Sequence, residues 1–533
     1  MDSIYWQSPN ITRAFQPASK LLTSLNSNKM FIEGLPLEFR LSWPRALLGL
    51  VVSFFLFQII RGIYRITLHP LAKFPGPKLT AMTRWYEAYY EVVVGGQFGN
   101  QIEKWHKQYG PIVRVNPYEV HIIDPHYYDV LFNFDPHLEK REFAINNLVH
   151  TPSSAQHKMR RQVLQSFFSR AGVQRVEYMI HNGLAKLCRH YYDAKENQTP
   201  VRVSLLYRCL LADVICEYAF GISYNFLDNP IWSEGFFNSF KATFKHIFFF
   251  RESKLVNYIS LVITQLPEWM FSRQNMKAML EWSAALRKRI DASMKGEYRQ
   301  EKSHKTIFEE YKNNKLPPAE KTNHRLFQVG LMIIGAGFGS ASFALDTGHY
   351  HICANPEIYQ RLKAELTEAW PDVDGPPPPV ATLEKLPYLK ACIQESLRLS
   401  LGTMGRLQRV NHHEVMRYGD WVIPKHTPIG MSHRFIHHNQ DLFPNSQKYD
   451  PGRWLQGEKS KYLEKYLVTF SRGSRQCLAI HMAYAELFLA LATVFRRFDM
   501  ELYDTTRVNI DPKYDYFFPV PEETDERIRV LVK

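Results

Sequence analysis

The segment FSRGSRQCLA, residues 470–479, holds the residue types whose spacing points most directly to chemistry. Cys477 stands just before a helical repeat that the periodicity places from about Leu478 to Arg497. A thiolate needs its charge stabilised, and a cysteine at a helix N-terminus receives that help from free amides and the helix dipole. Around it, Gly473 lets backbone approach a flat macrocyclic ligand, Phe470 can cover the sulfur, and Arg475 can meet a ligand carboxylate. The remaining cysteines, at 188, 209, 216, 353 and 392, form no CxxC pair, which argues against a disulfide framework or a zinc site and fits a reducing compartment.

Charged residues at helical spacing supply a second signal. Glu395 and Arg398 in ACIQESLRLS lie three apart and share one helix face. His157 and Arg161 in HKMRR lie one helical turn apart and share another. Farther along, Arg409 in RLQRV and Arg453 in YDPGRW are candidate partners for these sites.

Taken in order, these segments resemble the cytochrome P-450 superfamily, from the proline-rich stretch at 75 to about residue 520. Its heme-binding loop has the form Phe-x-x-Gly-x-Arg-x-Cys-x-Gly, with Ala479 here in place of the last glycine. The resemblance implies a mainly α fold with minor antiparallel β, and heme b with Cys477 as its axial ligand. It also implies a buried ion cluster of Glu395, Arg398 and Arg453 that fixes the loop geometry, although Gly452 stands where a glutamate is usual. His157 and Arg161 stand where the family often has Trp-x-x-x-Arg; with Arg409 and Arg475 they are the implied partners of the heme carboxylates.

Proton delivery in the family comes from a kinked helix carrying Ala-Gly-x-Asp/Glu-Thr, and the corresponding stretch here is AGFGS, Ala336–Ser340. Gly337 is expected to open the helix beside the iron, and Ser340 keeps a hydroxyl where threonine is usual. Gly339 removes the acid. Water, Ser340 or Ser342 would then carry the relay, or coupling would be poor, or the reaction would be one that needs no acid.

The implied activity is a monooxygenase that inserts oxygen from O2 into a small apolar substrate. Electrons would come from NADPH through NADPH-cytochrome P-450 reductase, and the resemblance admits cytochrome b5 as a further partner. Lys158, Arg160, Arg472, Arg496 and Arg497 are candidates for docking an acidic partner. The C-terminal loop and the YGDWVIP segment most resemble filamentous-fungal enzymes of the trichodiene oxygenase type, which narrows the substrate to a terpenoid or related secondary metabolite. Gly339 keeps open a heme-thiolate isomerase or dehydratase that needs no NADPH.

The elements that must position these residues are mostly helical. Periodicity predicts helices near 157–169, 324–349, 356–369, 388–400 and 478–497, a hairpin over 112–117 and 119–124, and another over 418–431 with a proline turn. FFNSFKATFKHIFFF, 236–250, reads as core or as a membrane-dipping lip. GPPPP at 375–379 reads as a surface loop. The uncharged run ALLGLVVSFFLFQII, 46–60, extends to about 64 once Arg61 snorkels, close to the roughly 20 residues a bilayer needs.

The organisation expected is therefore a lumenal tail over 1–45, a transmembrane anchor over 46–64, a proline-rich hinge over 65–80 and a cytosolic heme-thiolate domain over 81–533, single-pass in the endoplasmic reticulum membrane. Asn10 heads a glycosylation triplet in the tail. The net charge of +14 is scattered rather than gathered in arginine runs with interleaved aromatics, which argues against a nucleic-acid partner.

Overall fold

The computed structural model describes residues 37–142, 148–245, 248, 274–297, 305–522 and 528–533. They form two compact units, one ending at His69 and one running from Pro70 to Lys533. The tail before residue 37, with Asn10, lies outside the described residues, as does most of 246–273 at the end of the aromatic stretch.

In the first unit a single helix, α1 (Leu37–Thr67), runs unbroken, and its window Arg45–Thr67 is long and apolar enough to cross a membrane. Its side chains from Leu47 to Leu56 are largely exposed, the arrangement that a lipid environment would cover.

The second unit begins with Pro75–Gly76–Pro77 tied to the first sheet: Arg114 donates its N–H to the Pro75 carbonyl at 2.7 Å. A Cβ on Gly76 would stand 2.5 Å from the Arg114 carbonyl oxygen, so only glycine fits there. Helix α2 (Phe98–Tyr109) leads into β1 (Ile112–Asn116) and β2 (Glu119–Ile122), an antiparallel pair in which Val113 faces His121. The hairpin expected over 112–124 is therefore present.

Four helices carry the core around the site. These are α3 (Ser154–Gln165), α4 (Val203–Phe220), α5 (Asn323–Cys353) and α6 (Pro387–Ser400). The periodicity of the first suggested a helix to 169, but it stops at Gln165, and Ser169 caps a separate helix over Arg170–Arg175 by accepting the Gly172 N–H. Helices α4 and α5 are buried nearly all round, as central helices must be. They are apolar for that reason.

The second expected hairpin is displaced. Strands β3 (Met416–Tyr418) and β4 (Trp421–Ile423) turn at Gly419–Asp420, and Pro424 follows the second strand rather than making the turn. The residues beyond it form β5 (Ile429–Gly430), which pairs parallel with β2, Val120 beside Ile429. Helix α7 (Ile480–Arg497) and the hairpin β6 (Pro512–Tyr516) and β7 (Phe518–Pro521) complete the architecture. The fold is mainly α with minor sheet. GPPPP lies in a surface loop, and Phe236, Phe237 and Phe240 belong to the core.

Candidate functional site

The loop from Phe470 to Ala479 is held by partners distant in sequence. Residues Gly473–Arg475 form one tight turn, and α7 starts only at Ile480, with Ala479 as its N-cap. Cys477 thus precedes the helix by three residues, not one, and its stabilisation comes from a specific amide rather than from a first helical turn. The Ala479 N–H donates to the sulfur and the Arg161 guanidinium lies near; both oppose the burial that pushes the thiol pKa up. The Cys477 N–H donates to the Phe470 carbonyl at 2.9 Å, closing the loop, while the Phe470 ring packs on Tyr484 at 5.2 Å.

Three clamps fix this loop to the body. Gly473, at φ +68°, lies against the Asn133 carbonyl, which also accepts the Ser474 N–H at 3.1 Å. Arg161 donates to the Gln476 carbonyl at 2.7 Å. Ser471, itself in the left-handed region at φ 56°, lies 3.4 Å from the Tyr128 hydroxyl, which is also within 3.0 Å of His433 Nε2.

The ion cluster is assembled as well. Arg398 makes a two-pronged pair with Glu395 at 2.9 and 2.7 Å, and Arg453 Nε adds a third bond at 3.0 Å. Trp454 Nε1 donates to the other Glu395 oxygen at 2.9 Å, a partner the sequence reading missed. Backbone carbonyls add further bonds: Arg398 also donates to the His437 and Ser446 carbonyls, and Arg453 to that of Pro444. His437 Nε2 in turn accepts the Val468 N–H at 3.0 Å, and Thr469 bonds the Leu397 carbonyl, so the cluster grips the chain just before Phe470. All three charged side chains are buried, which is tolerable only with this full set of bonds.

On the other side of the loop, positive charge collects. Arg475 donates to the Thr151 and Pro152 carbonyls at 2.7 Å each, while its Nε is buried without a hydrogen-bond partner among the described residues. Burial holds its pKa down to about 10. Arg409 lies over the Phe132 ring at 4.6 Å, and burial together with Arg475 lowers it to about 9. His157 is pushed down to about 3 by burial and by the nearby Arg475, Lys140, Arg161 and Arg409, so it is neutral near pH 7.

Lys140 completes the group and was not singled out in the sequence. Its ammonium donates to the Val149 carbonyl at 2.7 Å; burial, Arg409 and Arg475 hold its pKa well below the ordinary lysine value. No local spacing could have revealed it. Among the described residues, Glu139 is a carboxylate whose charge acts on Arg475, and it already accepts the Ser154 N–H at 3.0 Å. So much buried cation with so little acid is costly unless a carboxylate-bearing ligand shares the space, and the unpartnered Arg475 Nε is a donor for it.

Helix α5 carries the stretch Ala336–Ser340. Ala336 is exposed in the middle of this otherwise buried helix, and Gly339 and Ser340 share its face by i, i+3, i+4 spacing. Phe518 lies against Gly339, and its neighbour Phe517 lines one cavity with Lys140 and Arg409, which brings this open face toward the cations. Gly337 does not open the helix as expected. The helix is unbroken, and a Cβ at 337 would stand 3.0 Å from Ile215, so this glycine admits α4 at the crossing. Ser340 Oγ donates to the Ala336 carbonyl at 3.4 Å, and buried Ser342 to the Gly339 carbonyl at 3.3 Å.

The five basic residues offered for docking do not form one surface. Arg160 is buried, bonding Thr151 and pairing with Glu320 at 2.7 Å; Glu320 also binds Arg325. Arg472 pairs with Asp129, and Arg496 donates to the Trp370 and Pro371 carbonyls. Arg497 donates to the Gly375 carbonyl and lies over the Trp370 ring, whereas Lys158 is exposed.

Comparison with known proteins agrees with this geometry. Residues 77–524 match the family described as Cytochrome P-450. The chain is similar to cytochrome P-450 monooxygenase MO6277 of Ascocoryne sarcoides, at 38% identity over 88% of this chain and 95% of that one. It is 34% identical to tryptophan 6-hydroxylase fscE of Fusarium equiseti, over 91% and 97%. With cytochrome P-450 monooxygenase TRI4 of Fusarium sporotrichioides it shares 32% over 88% and 92%.

Proposed function

The chain belongs to the cytochrome P-450 family, and on that premise we propose that it oxidises a small apolar substrate, a terpenoid or related fungal secondary metabolite, with heme b held by Cys477. Its relatives are monooxygenases of fungal secondary metabolism. The single observation that carries the assignment of the cofactor residues is the gathering of Arg475, Arg409, Arg161 and Lys140 around buried His157, close to a sulfur that already receives an N–H. Heme bound there would supply the iron at which dioxygen is reduced with electrons drawn from NADPH through a reductase.

Each residue of the chain then has a defined task. The Ala479 N–H and Arg161 hold negative charge on the Cys477 sulfur. Arg475, Arg409 and Lys140, with neutral His157 beside them, orient the carboxylates. Glu395, Arg398 and Arg453 keep the loop from shifting, and Gly473 seats it on Asn133. Ser340, on the open face of α5, hands on a proton by turning its hydroxyl from the Ala336 carbonyl.

The terpenoid assignment is supported by the resemblance of the C-terminal loop and the YGDWVIP segment to enzymes of the trichodiene oxygenase type, and the tryptophan 6-hydroxylase at 34% identity marks how far a relative's substrate can differ. In the same reading, residues 46–64, within the apolar window Arg45–Thr67, anchor the chain in the endoplasmic reticulum membrane with a lumenal tail before them, a proline-rich hinge over 65–80 and a cytosolic body that meets the reductase and cytochrome b5. Gly339, which offers no acid at that position, favours one second reading, a heme-thiolate isomerase or dehydratase that needs no NADPH.

Co-expression with a reductase and profiling of extracts by mass spectrometry tests both. Products heavier by one oxygen, formed only with NADPH, support oxidation. Products of unchanged mass, or lighter by one water, formed without it support the isomerase or dehydratase. Replacing Cys477 with Ser should abolish the red-shifted Soret band of the ferrous carbonyl form; an unchanged band would overturn the assignment of the ligand.

A further inference from the structure

The imidazoles of His412 and His426 meet nitrogen to nitrogen: Nδ1 of one lies 2.7 Å from Nδ1 of the other. They come from opposite ends of the β3–β4 hairpin, one before Met416 and the other after Ile423, so their meeting closes the hairpin at its base. Both residues are exposed to solvent.

Backbone bonds hold the two rings in place. The Asn411 carbonyl accepts the His426 N–H at 2.9 Å, and Asn411 Oδ1 accepts the His413 and Glu414 N–H groups at 2.9 Å each. Asn411 is itself fixed by a short antiparallel pair in which Leu138 faces Asn411 and Glu139 faces Val410. His426 adopts φ +64°, a left-handed conformation that few residues other than glycine take, and in that conformation its ring reaches His412.

A carboxylate stands on the far side of one ring. Glu139 Oε2 lies 3.9 Å from His412 Nε2. It favours a proton on Nε2, toward the acid, and leaves the Nδ1 lone pair facing His426. A carboxylate behind an imidazole is the arrangement that orients metal-bound histidines. Two nitrogens bound to one ion stand about 2.9 Å apart when the bonds meet at right angles, and about 3.3 Å apart when they are tetrahedral. The observed separation is nearer the first. Among the described residues no three His, Cys, Asp or Glu side chains gather to hold a metal, so the other positions on such an ion belong to water.

We propose that His412 and His426 form a two-imidazole site for a divalent ion of right-angled coordination, with Cu2+ first in the ordinary order of affinity, and that the ion clips the base of the β3–β4 hairpin. It replaces the one hydrogen bond the two rings can share. Arg409 precedes Val410 and Lys140 follows Glu139, so the strands that the ion steadies are those that lead into two of the buried cations.

Equilibrium dialysis of the full-length protein against buffered CuCl2, after treatment with a chelator, tests the site. Copper is counted per chain, so the result stands apart from the heme assignment. Wild type should take up one ion at the lowest concentrations, and His412→Gln and His426→Gln should each weaken that step by more than about tenfold. Glu139→Gln should weaken it by about tenfold, the cost of losing the group behind a metal-bound imidazole. His137, an exposed histidine whose ring lies 4.7 Å from that of His413, is the control, and His137→Gln should leave uptake unchanged. Copper should also raise the thermal midpoint of wild type and not that of the His412 and His426 variants. Equal uptake by wild type and both of those variants overturns the site, and so does uptake lowered as much by His137→Gln.

Discussion

The carbonyl oxygen of Asn133 occupies the space that a side chain on Gly473 would have to enter. The same oxygen accepts the Ser474 N–H, so loop and body meet with no gap between them four residues before the sulfur ligand.

Gly473→Ala should therefore do more than crowd the loop. A methyl group would meet backbone that cannot yield, at a φ of +68° that alanine avoids, and the combined cost is about 3 kcal/mol. Denaturant midpoints and cofactor content measure it. Wild-type values for both would refute the clamp.

Glu395→Gln leaves Arg398 and Arg453 buried with charge that nothing balances. Losing one member of such a cluster costs about 3–5 kcal/mol. The exposed pair of Lys461 and Glu458, also three or four residues apart on a helix, is the control: Glu458→Gln should change stability by less than about 0.5 kcal/mol. Equal effects at the two sites would show that the cluster contributes no more than a surface pair.

Lys140→Met separates the cofactor-free from the loaded protein. The folded-state pKa of Lys140 is depressed, so the unfolded chain holds a proton the folded one gives up, and cofactor-free protein gains stability as pH rises toward the ordinary lysine value. The methionine variant should lose that pH dependence and be more stable without cofactor. Loaded, it should release heme to an acceptor globin about tenfold faster, the loss of roughly one charged hydrogen bond. Unchanged release would remove Lys140 from the carboxylate site.

His349 sets part of the acid limit. Burial lowers it to about 3, and its Nδ1 lies 3.0 Å from the Tyr207 hydroxyl. Its contribution is intact above the unfolded value near 6.5 and is lost as pH falls through the window down to about 3. At pH 5 it accounts for about 2 kcal/mol of lost stability relative to neutral pH, so unfolding free energies of His349→Gln at the two pH values should differ by that much less than in wild type. A variant as acid-sensitive as wild type would place the titration elsewhere.

What the sequence revealed follows from how each feature is encoded. Glu395 and Arg398, or Phe470, Gly473, Arg475 and Cys477, lie within one helical turn or one loop, so spacing alone carries their geometry. Lys140, Trp454 and the Arg160–Glu320–Arg325 triad are defined by partners brought together only by tertiary folding. No periodicity marks them. The same holds for Gly337, whose neighbour Ile215 sits on a separate helix, and for β5, whose partner strand lies near the other end of the chain. The start of α7 was placed two residues early because Leu478 is apolar like the helix it precedes, although it belongs to the loop that presents the sulfur.

The pairing of β2 with β5 has a consequence for biosynthesis. Strand β2 emerges from the ribosome long before Ile429 and Gly430 exist to cover its edge. At about 5–20 residues per second, the roughly 300 intervening residues keep that edge waiting for on the order of 15–60 s. The sulfur loop arrives later still, so the nascent chain needs shelter from edge-to-edge association throughout this interval, and acquisition of its prosthetic group belongs to the last moments of synthesis or follows them.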